Sequence, residues 1–480
     1  MPHVPIPPPP PFTRRHFLAS AAALAAAAIT HPARAADAPT FSLATFKADV
    51  TPPLGHALMG GGIAPAAKVI DPLEARGFIL LSTDAAMKPI VVVAIDWCEI
   101  RNDAYERWRE VLAEATGTDK QHVLVMAIHQ HDAPIADLTA QRMLEEAKAR
   151  GSICDLKFHE EAVQRVAKAA KESLRSPRRI THLGTGQAEV KEIASNRRYL
   201  DDDGKPRYDR FSATRDASIR ARPEGDVDPF LKTLSFFDGD KPVLALSAYA
   251  THPMSYYGRG GISGDFVGMA RSQREKDEPG VFQMYVSGCS GNVTAGKYND
   301  GSTENRAVLA DKLHDAMKRA AEATKRSPLT QVKLRLTPMK LKPREGEGFS
   351  TEHLQNRLKH DRTPFGQCLA ALGLSWRMHA EKESHAIDVP AIDFGAACFL
   401  LMPAESYVEF QLAAQKLRPK DFVLVAGYGE CGPGYIPIER AWRENDGNLS
   451  DWCWVAPGAE KVMMEAMEKV LKQVSAKAQG

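Results

Sequence analysis

The feature that most constrains this chain is an alternation, after residue 40, of short apolar runs with segments of helical periodicity. The runs are rich in β-branched residues and predict strands at 89–97, 122–128, 243–250, 281–287, 393–402 and 421–427. The periodic segments predict helices at 102–115, 158–174, 303–324, 405–416 and 458–475. This order predicts an α/β fold with mixed sheets flanked by helices, in one large domain spanning residues 36–480.

Composition excludes several classes of protein. The 480 residues are 44% hydrophobic and 25% charged, which is typical of a folded globular chain and not of a disordered one. Lys and Arg number 62 against 60 for Asp and Glu, so no basic field favours a nucleic-acid partner. The seven cysteines include no CxxC pair, which argues against a disulfide framework or a thiolate zinc site. The sequence leaves open whether one or two disulfides form, and it does not determine the oligomeric state.

The first 35 residues are predicted to be a twin-arginine signal peptide. Arg14 and Arg15 precede an apolar run at 17–29, and residues 33–35 place small side chains where a signal peptidase cuts. The run of 13 residues is short of the roughly 20 needed to span a bilayer. We therefore expect cleavage after Ala35, no membrane anchor afterwards, and a periplasmic or secreted protein that is exported already folded.

Candidate metal ligands stand where predicted strands end. His129 and His131 follow the strand at 122–128, and at positions i and i+2 they project to the same side. The same placement recurs at His252, at Glu405 and at Tyr435, the last of these in a glycine-rich segment. Nitrogen and oxygen donors without a thiolate favour a hydrolytic zinc site that keeps one position open for water.

Each of these residues also has an ordinary structural explanation. The HxH pair can be two surface histidines, His252 can be a core histidine, and Tyr435 can fill a turn. The metal site is favoured because all of the strand-end placements occur in one chain. The sequence therefore predicts a zinc site, with one ion per chain.

These segments, in this order, resemble the neutral ceramidase family, whose members are zinc-dependent amidases that cleave the N-acyl bond of ceramide. The segment at 46–55 and the turn at 71–73 extend the resemblance, which covers about residues 44–470. It implies that the zinc ligands are His129, His252, Glu405 and Tyr435. It also implies that His131 handles a proton, that Arg197 contacts the substrate, and that Thr294 occupies the position of the catalytic serine.

The chain departs from the family pattern at three places. The serine position holds Thr294, whose methyl group restricts χ1. The family has a further tyrosine downstream of the zinc-binding one. This chain has no counterpart of it, and the nearest aromatic residue is Trp452. The immunoglobulin-like domain that follows the catalytic domain in the family is expected to be absent. The expected substrate is thus a small-molecule or lipid amide, ceramide-like or smaller.

Two carboxylates and one irregular stretch complete the predicted site. Asp265 and Glu430 are predicted to accept the second N–H of the zinc-bound histidines. Residues 196–228, rich in Arg, Asp and Gly, predict a long surface loop that either faces the substrate or is merely solvated.

The sequence therefore predicts an exported zinc-dependent amidohydrolase that cleaves a linear N-acyl amide with a zinc-activated water. On this hypothesis His131 passes a proton to the leaving amine, Arg197 holds a substrate oxygen, and Thr294 hydrogen-bonds the oxyanion. Two alternatives stay open. One is a zinc-dependent ester or lactone hydrolase, and the other is a non-catalytic exported binding protein that keeps the fold.

Overall fold

Three mixed sheets are built around the same strand–helix–strand unit. In a computed structural model of the chain, which describes residues 1–5, 7–8, 40–382 and 386–472, each sheet has one pair of parallel strands at its edge. The other strand pairs of these sheets are antiparallel. The predicted α/β fold with mixed sheets is confirmed.

The N-terminal sheet has the strand order Val123–Ala127, Ile90–Ile95, Glu74–Ser82, Phe41–Asp49, Arg178–Ile180. The first two strands are parallel, and the helix Asn102–Thr116 connects them. Every residue of both strands is buried, which is the usual state of parallel strands covered on both faces. The connecting helix stops where Gly117 adopts a left-handed conformation, with a φ of 68°.

The middle sheet has the order Phe282–Ser287, Lys241–Tyr249, Phe230–Asp238, His182–Glu189, Lys325–Pro328. Its first two strands are again parallel, and the helix Asp265–Asp277 connects them. The same unit thus occurs a second time in the chain.

The C-terminal sheet has the order Lys333–Met339, Ile387–Asp393, Ala397–Leu401, Phe422–Ala426. Its last two strands are parallel and are connected by the helix Val408–Leu417. The predicted strand at 393–402 is in fact the end of one strand and the whole of the next, joined by a tight turn. The predicted helix at 405–416 begins later, because Glu405–Ser406 pairs with Tyr435–Ile436 as a short parallel ladder.

The carboxyl ends of the three parallel pairs meet. Ala127 N donates to Tyr428 O at 3.0 Å, and Gly427 N donates to Ser287 O at 2.8 Å. Ser287 Oγ also donates to Ile128 O at 2.6 Å. Because loops at the carboxyl ends of parallel strands gather functional side chains, this junction is where a site is expected.

The remaining helices surround the sheets and are Leu138–Glu146, Leu156–Ser173, Ala217–Ala221, Asn305–Glu322, Thr351–His360, Pro364–Ala380, Glu439–Arg443 and Ala459–Lys472. The other two-residue ladders are Lys68–Val69 with Gly261–Ile262, Glu99–Ile100 with Ile135–Ala136, Ser195–Asn196 with Val293–Thr294, and Tyr199–Leu200 with Pro206–Arg207. From Thr40 onward the described residues form one compact unit.

The stretch at 196–228 is irregular, as predicted, but it is not simply a surface loop. Arg210 within it is fully buried and donates to the carbonyl oxygens of Asn196, Pro223 and Glu224. The prediction of a surface excursion is therefore wrong for this part of the stretch, because the guanidinium satisfies the backbone of the loop from inside.

Several further expectations concern the rest of the chain. All seven cysteines lie in the described residues, where they are free and buried. The predicted signal peptide lies almost wholly outside the described residues. Within it, only residues 1–5 and 7–8 are described, and they are exposed and lie outside helices and strands. Among the helices that the structure describes, none is long and apolar enough to cross a bilayer.

Candidate metal centre

Three of the predicted ligands meet at one point. Oε2 of Glu405 lies 3.0 Å from Nε2 of His252 and 3.2 Å from Nε2 of His129. All three residues are at most 2% exposed. Each follows a strand of a different sheet, so the centre lies where the three parallel pairs meet.

The backbone turns sharply at this centre. His129, Ala404 and Tyr428 all have positive φ, at 76°, 48° and 59°. Such values are uncommon for residues other than glycine, and they cluster at functional sites where the surrounding structure enforces them. His129 is itself one of the converging residues, and Ala404 immediately precedes another, Glu405.

Backbone carbonyl groups orient both imidazoles. Nδ1 of His129 lies 2.9 Å from Cys98 O, and Nδ1 of His252 lies 2.6 Å from Ser290 O. A carbonyl oxygen only accepts, so each Nδ1 carries a hydrogen, and each ring in its neutral form turns a lone pair on Nε2 toward Glu405.

The predicted orienting carboxylates do not serve this purpose. Asp265 accepts from Ser255 N at 3.1 Å and pairs with Arg306 at 3.3 Å. Glu430 accepts from Asn102 N at 2.8 Å and from Gly432 N at 2.7 Å. The prediction that Asp265 and Glu430 hold the histidines is therefore wrong, because carbonyl groups already fill that position.

The donor set fits a zinc ion. Two nitrogen lone pairs and a carboxylate oxygen repel one another at 3.0 to 3.2 Å unless a cation or a proton lies among them. Bonds of about 2.0–2.1 Å from zinc to tetrahedral ligands separate the ligand atoms by roughly 3.3 Å. Within the described residues, Nε2 of His129 is buried and makes no hydrogen bond of acceptable geometry. The three atoms are thus arranged as metal ligands are.

The electrostatics favour the metal-binding protonation state at Glu405 and His252 but not at His129. Burial would raise the pKa of Glu405, but His129 and His252 hold it well below its usual range. Burial, helped by the charge of Arg197, lowers the pKa of His252 to about 4. For His129 burial acts the same way, but the carboxylates of Glu405 and Glu99 outweigh it and raise its pKa. Metal ligands must be deprotonated, and a charged Glu405 beside a neutral His252 meets this condition.

Tyr435 and Arg197 are brought to the same centre. Arg197 Nη1 donates to Tyr435 Oη at 2.7 Å, and Nη2 lies 3.4 Å from Nε2 of His252. Burial raises the pKa of Tyr435 above its usual range, and the nearby guanidinium opposes this shift. Arg197 also donates to Asn448 Oδ1 at 3.2 Å. The role of Tyr435 as the fourth ligand stays a prediction, since its oxygen is here bonded to Arg197.

His131 lies beside the centre but does not join it. Its ring centroid is 5.3 Å from that of His129, 6.0 Å from that of His252 and 4.9 Å from that of Tyr257. Burial, together with His129 and His252, lowers its pKa well below the usual range. In the part of the chain that the structure describes, Nδ1 of His131 is buried without a hydrogen-bond partner. The predicted proton-handling role is not tested by this arrangement.

Thr294 is close in the fold but is differently engaged. It is fully buried, its Oγ1 donates to Phe211 O at 2.8 Å and accepts from Gly296 N at 3.1 Å. To stabilise an oxyanion, this hydroxyl would have to give up the bond to Phe211. Its catalytic role stays a prediction.

A cavity of about 370 Å³ opens onto the centre. The described residues that line it are Met59, Cys98, Glu99, His129, His131, Phe211, Phe365, Glu405, Tyr435, Gly447, Asn448, Ser450, Asp451 and Trp452. Thr294 is not one of these. Three of the four predicted ligands, His129, Glu405 and Tyr435, therefore line the cavity together with a mixture of aromatic and polar side chains.

Two residues at the centre were missed by the sequence analysis. Tyr428 stacks on His129 with ring centroids 4.3 Å apart and planes at 17°, and its Oη lies 2.6 Å from Ser290 Oγ. Cys98 lines the cavity, with Sγ 3.9 Å from Nδ1 of His129. Both follow a buried strand within three residues, so the strand-end placement that identified the histidines also applied to them.

No family model matches this chain, and no curated protein matches it either. The solved structures that resemble it include a crystal structure of neutral ceramidase from Pseudomonas aeruginosa, with a TM-score of 0.65, and a ceramidase complexed with C2, with a TM-score of 0.64. Both are 17% identical in sequence, and each match covers 91% of this chain and 75% of the other. The chain therefore has the fold of neutral ceramidase, as the sequence resemblance indicated.

Proposed function

We propose that this protein is an exported, zinc-dependent amidohydrolase that cleaves the C–N bond of a linear N-acyl amide. The observation that carries this proposal is the convergence of Glu405 Oε2 with two histidine Nε2 atoms, within 3.2 Å, at the buried end of a cavity. The likeness in fold to neutral ceramidase supports an amide as the bond that is cleaved.

His129, His252 and Glu405, with Tyr435 as the proposed fourth ligand, would hold the zinc ion, which would supply a Lewis acid that lowers the pKa of bound water toward about 7. The carbonyls of Cys98 and Ser290 fix the two imidazoles in the tautomer that binds metal.

The other residues of the site position the substrate and move protons. His131 lines the cavity beside His129 and passes a proton to the leaving amine, a role suited to imidazole. Arg197 lies between Tyr435 and His252, and its guanidinium donates to an oxygen of the substrate. Among the described residues its Nε is buried without a partner, so donor capacity remains.

The proposal is tested by elemental analysis of protein purified without chelators or added metal. We expect about one zinc per chain, and loss of both zinc and amide hydrolysis in His252→Ala. His314→Ala, which removes a partly exposed histidine that pairs with Asp277, is the matched control and should keep both. Protein that binds no zinc even on titration would contradict the proposal and favour a non-catalytic binding protein.

Export is tested separately, with Lys at both positions 14 and 15. The twin-arginine route requires the arginine pair, so this double variant should stay in the cytoplasm while the unaltered protein is exported and starts at Ala36. Equal export of both proteins would show that another route is used.

A further inference from the structure

The cavity at the metal centre is compact and opens to solvent. Its volume is about 370 Å³, and its buried end is formed by His129, Glu405 and Tyr435. An apolar protein cavity of about 150 Å³ holds one benzene ring, so this cavity holds two to three rings, or roughly 15 non-hydrogen atoms. An amide with two long alkyl chains greatly exceeds this size. The space near the metal therefore suits a compact group.

The walls of the cavity are aromatic, and one of them is rigid. The rings of Phe365 and Trp452 lie at 22° to each other with centroids 6.3 Å apart. The indole Nε1 of Trp452 donates to Glu99 Oε1 at 3.1 Å, and the Arg101 guanidinium lies 5.8 Å from the indole centroid. Rings held in this way attract a further ring by stacked or edge-to-face contact. The wall thus favours a planar apolar group over a flexible chain.

Phe211 belongs to the solvent-exposed part of the cavity lining. This residue is 55% exposed, and its carbonyl oxygen accepts from Thr294 Oγ1 at 2.8 Å, which ties the loop at 196–228 to the centre. The lining also includes the polar residues Asn448, Ser450 and Asp451, of which Ser450 and Asp451 are exposed. A substrate with its apolar acyl group inside and a polar amine near these three residues matches this division.

From size, wall and mouth we infer that the preferred substrate carries a compact acyl group, aromatic or short, and not a long alkyl chain. This inference rests on the proposed function, because it specifies the substrate class of the same site. It assigns Phe365 and Trp452 to recognition of the acyl group and Phe211 to restriction of its length.

The inference is tested with a series of amides that share one amine and differ only in the acyl group: acetyl, phenylacetyl and hexadecanoyl. The zinc-loaded full chain should hydrolyse the phenylacetyl amide with a kcat/KM at least about 10-fold above that of the hexadecanoyl amide, since buried ring contacts add to affinity. A hexadecanoyl amide that is cleaved as well or better would overturn the inference and leave the proposed function intact. If no member is cleaved although zinc is bound, the proposed function is wrong and the inference with it.

Two variants sharpen the test. Phe365→Ala should raise KM for the phenylacetyl amide about 10-fold with little change in kcat, because an apolar contact is lost and the ligands are untouched. Phe211→Ala, at an exposed position, should narrow the gap between hexadecanoyl and phenylacetyl amides. Phe230→Ala is the control, since Phe230 is 37% exposed and is not part of the lining. Equal acyl preference in all of these proteins would also overturn the inference.

Discussion

Two buried polar clusters lie next to each other and differ in how their charge is balanced. In the ionic cluster, Arg101 Nη1 donates to Glu99 at 2.6 Å and its Nε lies 3.5 Å from Asp137, with all three residues 0% exposed. In the metal centre, Glu405 faces the Nε2 atoms of two imidazoles and, among the described residues, makes no ion pair with an Arg or Lys side chain. Glu99 connects the two clusters, because it also lines the cavity.

The difference separates a structural role from a functional one. Buried charges that pair within the protein need nothing further, and breaking such a pair destabilises the fold. A buried carboxylate that faces nitrogen lone pairs is balanced only by something from outside, a metal ion or protons. Variants at Glu405 and Tyr428 test the metal centre, a variant at Arg101 tests the ionic cluster, and a variant at Glu430 tests a buried carboxyl group that accepts from Asn102 N.

The largest effect is expected from Glu405→Gln, which keeps the shape of the side chain and removes its charge. Loss of residues that only support metal ligands costs 10–100-fold in metal affinity, so loss of a ligand should exceed about 100-fold. Zinc content and amide hydrolysis should both fall, while thermal unfolding stays cooperative. Glu409→Gln is the matched control, because Glu409 bonds Asn292 and Arg440 instead. Full zinc content in Glu405→Gln would contradict the assignment.

Arg101→Met should act on stability and not on zinc. It leaves Glu99 and Asp137 buried without a cation, which is expected to cost about 3–5 kcal/mol in the free energy of unfolding. Denaturant titration measures this, and elemental analysis of the folded variant should still find zinc. Arg107→Met breaks the surface pair with Glu160, whose side chains are 39% and 43% exposed, and should cost less than about 1 kcal/mol. Equal losses in the two variants would contradict the comparison.

Glu430 should make stability depend on pH. Burial raises its pKa from 4.5 to about 8, so the fold favours the protonated form. Its contribution is fully present below about pH 4.5 and is lost as the pH rises through 8. Glu430→Gln removes this dependence, so the variant should gain a few kcal/mol relative to the unaltered protein between pH 5 and pH 9. Unfolding titrations of both proteins at pH 5 and pH 9 measure this gain. An equal difference in the free energy of unfolding at the two pH values would contradict the role of Glu430.

The smallest effect is expected at Tyr428, which stacks on His129 and bonds the residue whose carbonyl orients His252. Tyr428→Leu removes the ring and should weaken zinc binding about 10-fold in a chelator competition. Tyr428→Phe keeps the ring and should lose only a few-fold. In the Co²⁺-substituted protein, the visible spectrum should shift in the Leu variant. Tyr285→Phe, at another buried tyrosine, is the control and should leave both measurements unchanged.

The parallel strands of the fold could be predicted from the sequence, and the antiparallel ones largely could not. Val123–Ala127 and Phe422–Ala426 are continuous apolar runs, because both of their faces are covered. His182–Glu189 contains two glycines, and Lys333–Met339 is a half-exposed edge strand that contains Pro338, so neither has a clear strand pattern.

In the site, likewise, some parts could be predicted from the sequence and others could not. The positions of His129, His252 and Glu405 could be predicted because each follows a strand, and the structure brings these three together. Their supporting groups could not be predicted, because the acceptors are the backbone carbonyls of Cys98 and Ser290, which any residue supplies. The sequence predicted the carboxylates of Asp265 and Glu430 as the groups that orient the histidines, but the protein uses main-chain carbonyl groups for this purpose.

The convergence of three sheets also determines when a metal can arrive. His252 and Glu405 are 153 residues apart in the chain, and His129 precedes both in a separate sheet. A ribosome has therefore made most of the protein before the third donor emerges, and no nascent fragment that ends before Glu405 carries the complete set. An ion held by all three residues would report that synthesis and docking of all three sheets had finished. Binding of the ion by all three residues would thus distinguish the completely folded protein from incomplete chains.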